Sequence, residues 1–293
     1  MKLHLLRFLA LISAHWAIAG TAATFTVLCD NSDEVARKGC TVKLTGPIVR
    51  GDAQKLRSTI KRPLPEGWHF HSLLLDSPGG DVRAAIELAA VVRQSVLDTT
   101  TTRLPKDQPK NLDLWEKWRW TCVSACFLVW VAGADRSTLP SLPEGKSGIG
   151  LHRPYLEKSA YANPPETVAA MQQQAMQATA EYLQREQVPR TLIEKMLQRA
   201  STQVHWLTEE EYAELSALSS WFEEMMIARC GYDPTYVREM DLWTFNAIDS
   251  HVRRRSGKPL ALGPKHDKYI DWRQTYNACE YAIRKAAQAG SRE

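Results

Sequence analysis

Three short segments carry residue types and spacings that chemistry uses. Ser77-Pro78-Gly79-Gly80 follows a compact apolar run, Ser72 to Leu75. Two glycines at a strand end let the backbone approach a ligand closely, and a main-chain N–H exposed there can donate to a developing negative charge. The ordinary use of Pro-Gly-Gly is a plain strand-to-helix turn. Cys122-Val123-Ser124-Ala125-Cys126 precedes a second apolar run, Phe127 to Ala132. A serine at a helix start can present its hydroxyl to a cleft, with the unsatisfied N–H groups of the first turn aimed at whatever it attacks. Most serines there only cap the helix. Gly150-Leu151-His152-Arg153-Pro154 puts a histidine at a strand end, where it can take a proton from a neighbouring hydroxyl at neutral pH. One surface histidine among eight would be unremarkable. Set in one α/β unit, the three segments support one another as none does alone.

The elements that must position them are legible in the patterning. Phe25 to Leu28 and Thr41 to Leu44 read as two short strands ending at Leu44-Thr45-Gly46-Pro47, and Asp52 to Ile60 as a helix before the Pro-rich loop Arg62 to Pro65. Ser72 to Leu75 reads as a strand. Val82 to Val96 has apolar residues at helical spacing, which makes strand, glycine turn, helix. Thr99 to Leu114 is polar and reads as loop. A second unit begins near Trp120, and a third strand is expected over Ser147 to Leu151. Glu166 to Arg199 is a long amphipathic helical stretch broken at Pro189, and residues 215–293 read as a helical appendage. Alternating strand and helix predicts an α/β core with a mainly parallel sheet.

Composition narrows the class. With 44% hydrophobic and 24% charged residues, the chain is neither collagenous nor wholly disordered. A net charge of +4 without a clustered basic face gives no argument for nucleic acid. Residues 1–23 read as a secretory signal: Lys2 and Arg7, an apolar stretch from Phe8 to Ala19, then small residues at Ala17-Ile18-Ala19 and Thr21-Ala22-Ala23. That run is short for a membrane span, which takes about 20 apolar residues, so a cleaved signal is preferred to an anchor and the mature chain is expected to lack a span.

Export changes the meaning of the six cysteines, all of which follow the signal. In an oxidising compartment an even number suggests up to three disulfides. Cys29 and Cys40 bracket a loop between two strands, and Cys230 and Cys279 are the two in the C-terminal region. Cys122 and Cys126 are four apart, on one face if the segment is helical, and bridging them needs favourable geometry. A zinc site competes weakly, since no paired C-x-x-C and no H-E-x-x-H occur, and no metal or cofactor is expected. Trp115, Trp118 and Trp120 read as packing aromatics and Arg253 to Arg255 as a solvated helix end. Lys146 is a weaker alternative base than His152.

Leu44-Thr45-Gly46, Leu75 to Gly80, Ser124 with Leu128 and Ala132-Gly133, and His152-Arg153-Pro154 together resemble the proteolytic subunit of the Clp protease in order and spacing. The helical stretch 166–199 and Trp206 to Glu211 resemble that family's handle helix and closing turn, so the resemblance covers roughly residues 42–217. It implies an α/β fold of stacked ββα units of the ClpP/crotonase type over residues 24–214, with the helical C-terminal extension 215–293 added. It also implies a nucleophile at Ser124, a general base at His152 and oxyanion donors at the backbone N–H groups of Gly80 and Ala125. A peptide or protein substrate and assembly into homo-oligomeric rings or stacked trimers follow from the same analogy. The family's aspartate falls on Val204, with only Ser201, Thr202 and Gln203 as polar neighbours. Loss of the orienting acid costs about 10⁴ in rate in a well-studied protease triad. Three readings follow: a slow dyad, another acid such as Asp135 reaching His152, or a dead site kept as a binding scaffold. An acyl-CoA enzyme of the crotonase kind is a further rival, which export to a periplasmic or extracellular location disfavours.

Overall fold

A computed structural model describes residues 22–29, 39–101, 122–138, 148–156, 158–253 and 263–290. Residues 1–21 of the expected signal, Trp115, Trp118, Trp120 and Lys146 lie outside the described residues.

Strands β1 (Thr24–Cys29) and β2 (Gly39–Thr45) form an antiparallel hairpin in which Cys29 stands opposite Cys40, and the two are disulfide-bonded. After α1 (Asp52–Ile60), β3 (His69–Asp76) runs parallel to β2. Its run of Leu73, Leu74 and Leu75 makes it the central strand, covered on both faces over most of its length. Helix α2 (Val82–Gln94) starts at Asp81, whose carboxylate accepts from the Ala84 N–H at 2.7 Å. It packs Ala85, Leu88 and Val92 into the core.

Strand β4 (Asp98–Thr101) corrects the loop expected from Thr99 onward. A polar run of threonines reads as loop by composition, but β-branched side chains fit a pleated sheet, and Thr99 and Thr101 are buried in it. Two-residue strand β5 (Cys122–Val123) leads through Ser124 into α3 (Ala125–Trp130), and β6 (Asp135–Thr138) and β7 (Ile149–Leu151) follow. A 3₁₀ turn at Lys158–Ala162 precedes α4 (Pro165–Arg185) and α5 (Arg190–Gln198), which part at Pro189 as expected. The Tyr182 hydroxyl of α4 donates to the Leu128 carbonyl of α3 at 2.8 Å. Burial raises that hydroxyl well above the usual tyrosine range.

Strand β8 (His205–Trp206), α6 (Glu209–Leu215) and β9 (Ala217–Leu218) complete two sheets. The larger runs β1-β2-β3-β4-β6-β9, parallel from β2 to β6 with antiparallel edges. The smaller runs β5-β7-β8. Ser77, just past β3, bridges to Cys122, so the end of the central strand links the two sheets. The fold is a mixed α/β body with a mostly parallel sheet.

Helices α7 (Ser220–Cys230), α8 (Pro234–Arg253) and α9 (Pro264–Gly290) form the C-terminal extension. It is helical as expected, yet the sheet itself crosses the boundary at 214/215, because β9 pairs with β6. Arg284 of α9 is 2% exposed; it bonds Asp98 at 2.7 Å and Glu280 at 2.9 Å and also donates to the Val96 and His71 carbonyls. Gln288 pairs with both the N–H and the carbonyl of Phe70. Cys230–Cys279 ties α7 to α9. Among the described residues no helix is long and apolar enough to cross a membrane. Three closed disulfides are the chemistry of an oxidising compartment.

Candidate functional site

Ser124 sits between a strand and a helix, and its backbone is unusual. Its φ of 60° and ψ of −126° lie where L-residues other than glycine are strained. Among the described residues two other non-glycine residues have positive φ, Val96 and Gln187, but each stands one residue past a helix C-cap, where a left-handed residue is the common way to stop a helix. Ser124 begins a helix and has no such reason. A capping serine would be extended, with its hydroxyl accepting from the first turn; Ser124 is not extended and its side chain caps nothing. The capping explanation is therefore removed. What remains is a sharp strand–turn–helix that pushes a serine side chain out of the turn, the geometry of a nucleophile elbow.

The surroundings hold that turn. The Val123 N–H donates to the Ser77 carbonyl at 3.0 Å, and the Ser124 N–H to the Gly150 carbonyl at 2.9 Å. Cys122 and Cys126, both fully buried, are bridged across the serine. Backbone strain of about 1–3 kcal/mol persists only where the environment over-determines it, as here.

The glycine turn lies directly against the serine. A β-carbon on Gly79, whose φ is 100°, would stand 2.7 Å from the Ser124 β-carbon and 3.0 Å from the Ala125 nitrogen. One on Gly80 would meet the Ile48 carbonyl oxygen at 2.1 Å. That carbonyl accepts from the Asp81 N–H, and the Gly79 carbonyl accepts from Ile48. Neither the Gly80 N–H nor the Ala125 N–H donates to a backbone carbonyl among the described residues.

His152 follows β7, two residues past the Gly150 carbonyl that holds Ser124. It is 8% exposed, and the ring of Tyr155 packs on it with centroids 5.6 Å apart. Its Nδ1 lies 2.9 Å from the Arg153 main-chain oxygen. The expected acid position is filled otherwise: the Val204 Cγ1 lies 2.6 Å from where a Gly150 β-carbon would be, so an apolar branch covers that face of β7. Asp135 does not supply the acid. Its N–H is bonded to the Asp98 carboxylate, and its own carboxyl feels Arg284 and Glu280, with burial raising it above its ordinary range. Among the described residues no carboxylate bonds the His152 ring.

A histidine–carboxylate pair elsewhere in the fold escaped the sequence reading. His205 Nε2 meets Glu211 at 2.8 Å, and Lys195 meets the same carboxylate at 2.7 Å. His205 pairs opposite Leu151 across β7 and β8, so it points to the face away from Gly150 and Val204. Glu211 also closes the capping box of α6 with Thr208, and this pair is structural.

No protein-family profile matches the chain, and no curated protein matches it. Four candidate positions are held near one turn: Ser124 and Ala125 on it, Gly80 beside it, and His152 at the end of the strand that bonds it.

Proposed function

We propose that the protein is an exported serine hydrolase, peptidase-like, of the ClpP/crotonase kind, working in the periplasm or outside the cell. Ser124 is its nucleophile, His152 its general base, and the N–H groups of Gly80 and Ala125 its oxyanion donors. The observation that carries this reading is the strained, non-capping backbone of Ser124.

The chemistry is acyl transfer. Ser124 Oγ bonds to the substrate carbonyl carbon while its proton passes to His152, and the carbonyl electron pair moves onto an oxygen facing the two N–H donors. The imidazolium returns the proton to the leaving amine as the C–N bond breaks, leaving an acyl-serine. Water, deprotonated by His152, then attacks the acyl carbon; the acyl–Oγ bond breaks and the imidazolium returns its proton to Ser124 Oγ, releasing the acid. Loss of one oxyanion donor typically costs about 3 kcal/mol of transition-state stabilisation. Without a carboxylate partner the imidazolium is less stabilised, so turnover should be slow compared with a full triad.

The rival reading is a binding or scaffold protein that kept the fold and lost turnover, which Val204 in the acid position favours. Treatment with a serine-directed fluorophosphonate separates them. Covalent labelling that maps to Ser124 and disappears in Ser124→Ala supports the hydrolase; an unlabelled, folded protein that cleaves no member of a peptide library supports the scaffold.

A further inference from the structure

We propose that the strap Arg153-Pro154, clamped by Gln172, does for His152 what the missing acid does in a triad: it selects the imidazole tautomer that leaves Nε2 free to act as base. This rests on the Ser124–His152 reading above and concerns how that base is oriented.

The acceptor decides the tautomer. A main-chain carbonyl oxygen carries no hydrogen, so the contact between His152 Nδ1 and the Arg153 oxygen at 2.9 Å is a hydrogen bond only when Nδ1 is the protonated nitrogen. In the neutral ring the lone pair is then on Nε2. A carboxylate would select the same tautomer and add a charge; the carbonyl selects it without the charge.

A carbonyl can hold a ring only if it is itself held. Arg153 precedes a proline, which disfavours the helical region for Arg153 and so narrows the directions open to its carbonyl. One residue on, the Pro154 carbonyl accepts from Gln172 Nε2, on the first half of α4. That helix is in turn tied to the elbow, since the Tyr182 hydroxyl bonds the Leu128 carbonyl on α3, the helix that Ser124 opens. The connection closes a circuit through Ser124, α3, Tyr182, Gln172, Pro154, the Arg153 carbonyl and the base. Gln172 and Pro154 are thus positioning residues, and neither touches the reacting atoms.

The test uses the full mature chain with ¹⁵N-labelled histidine. In the apo protein, long-range ¹H–¹⁵N spectra at alkaline pH should show neutral His152 protonated at Nδ1. Gln172→Met removes the donor while keeping length and helix propensity. It should shift the ring toward the Nε2–H tautomer and lower kcat about tenfold with KM within about twofold, a fraction of the 10⁴ that a wrong tautomer costs in a full triad. Gln172→Lys restores a donor and should recover both readouts. Wild-type His152 found as Nε2–H, or a tautomer unchanged in Gln172→Met, overturns the proposal. Failure of Ser124 to react with the fluorophosphonate overturns the hydrolase reading instead, and the tautomer spectrum reports on the strap independently of that result.

Discussion

Gly79 rests on the turn that carries Ser124, so closely that a single added β-carbon would come within 2.7 Å of the serine's own. The glycine loop after the central strand and the start of α3 are one packed unit. Gly79→Ala forces both a left-handed alanine and an overlap with main chain, and should destabilise the protein by about 2–4 kcal/mol. Fluorophosphonate reactivity at Ser124 should fall further than the loss of folded protein explains. Thermal denaturation and labelling on one sample check both.

Ser124 is strained for position, not for stability. Ser124→Gly should be more stable than Ser124→Ala, because glycine adopts a φ of 60° freely and alanine does not. A difference of about 1 kcal/mol corresponds to roughly 2–4 °C in melting temperature for a domain of 150–250 residues, and for this somewhat longer chain to the lower end of that range. Both variants should be inactive. Equal melting temperatures would show that the backbone at 124 relaxes without cost.

The three disulfides differ in access. Cys29 is exposed and Cys230 and Cys279 are half-buried, whereas Cys122 and Cys126 are fully buried. Exchange requires a thiolate to reach sulfur, so under a mild dithiol and native conditions Cys122–Cys126 should open last. Alkylation followed by mass spectrometry gives the order. Removing that bridge in Cys122→Ala/Cys126→Ala should depress Ser124 labelling while the protein still folds.

Burial pushes the Asp98 carboxyl up from 3.8 to about 6, against the opposing pull of Arg284. A carboxyl whose folded pKa is raised holds its proton more tightly when folded. Its contribution is complete below about pH 4 and is lost as pH rises through about 6. Asp98→Asn cannot ionise, so the stability of wild type relative to that variant should decline by about 1–3 kcal/mol between pH 4 and pH 7. Denaturant titrations of both proteins across that range measure it; a flat difference would mean the Arg284 pairing cancels the burial penalty.

Local order along the chain decided much of this protein in advance. The apolar run into Pro-Gly-Gly, the helical spacing after it and Pro189 between two helices are nearest-neighbour physics, and the strand, turn and helices stand where those patterns put them. The Cys29–Cys40 pair was legible because strand pairing sets the two residues opposite each other, whereas Cys122–Cys126 closes across the turn from β5 into α3 and not along a shared helix face. Thr99 to Thr101 was misread because composition speaks for solvation while β-branching speaks for the sheet, and only the neighbouring strands β3 and β6 decide between them.

Long-range contacts settled the rest. That Ser124 is held in a left-handed backbone follows from Gly79 and Gly150, which arrive from distant parts of the chain. The partner of His152 is a carbonyl, a group every residue owns, so no side-chain pattern could announce it. Arg284 meets Asp98 across 186 residues, and Glu280 joins them from one turn away on its own helix. Residue types therefore singled out Ser124, Ala125, His152 and Gly80 as candidates for one site, whereas the burial and hydrogen bonding around them arise only when the sheet and its helices close.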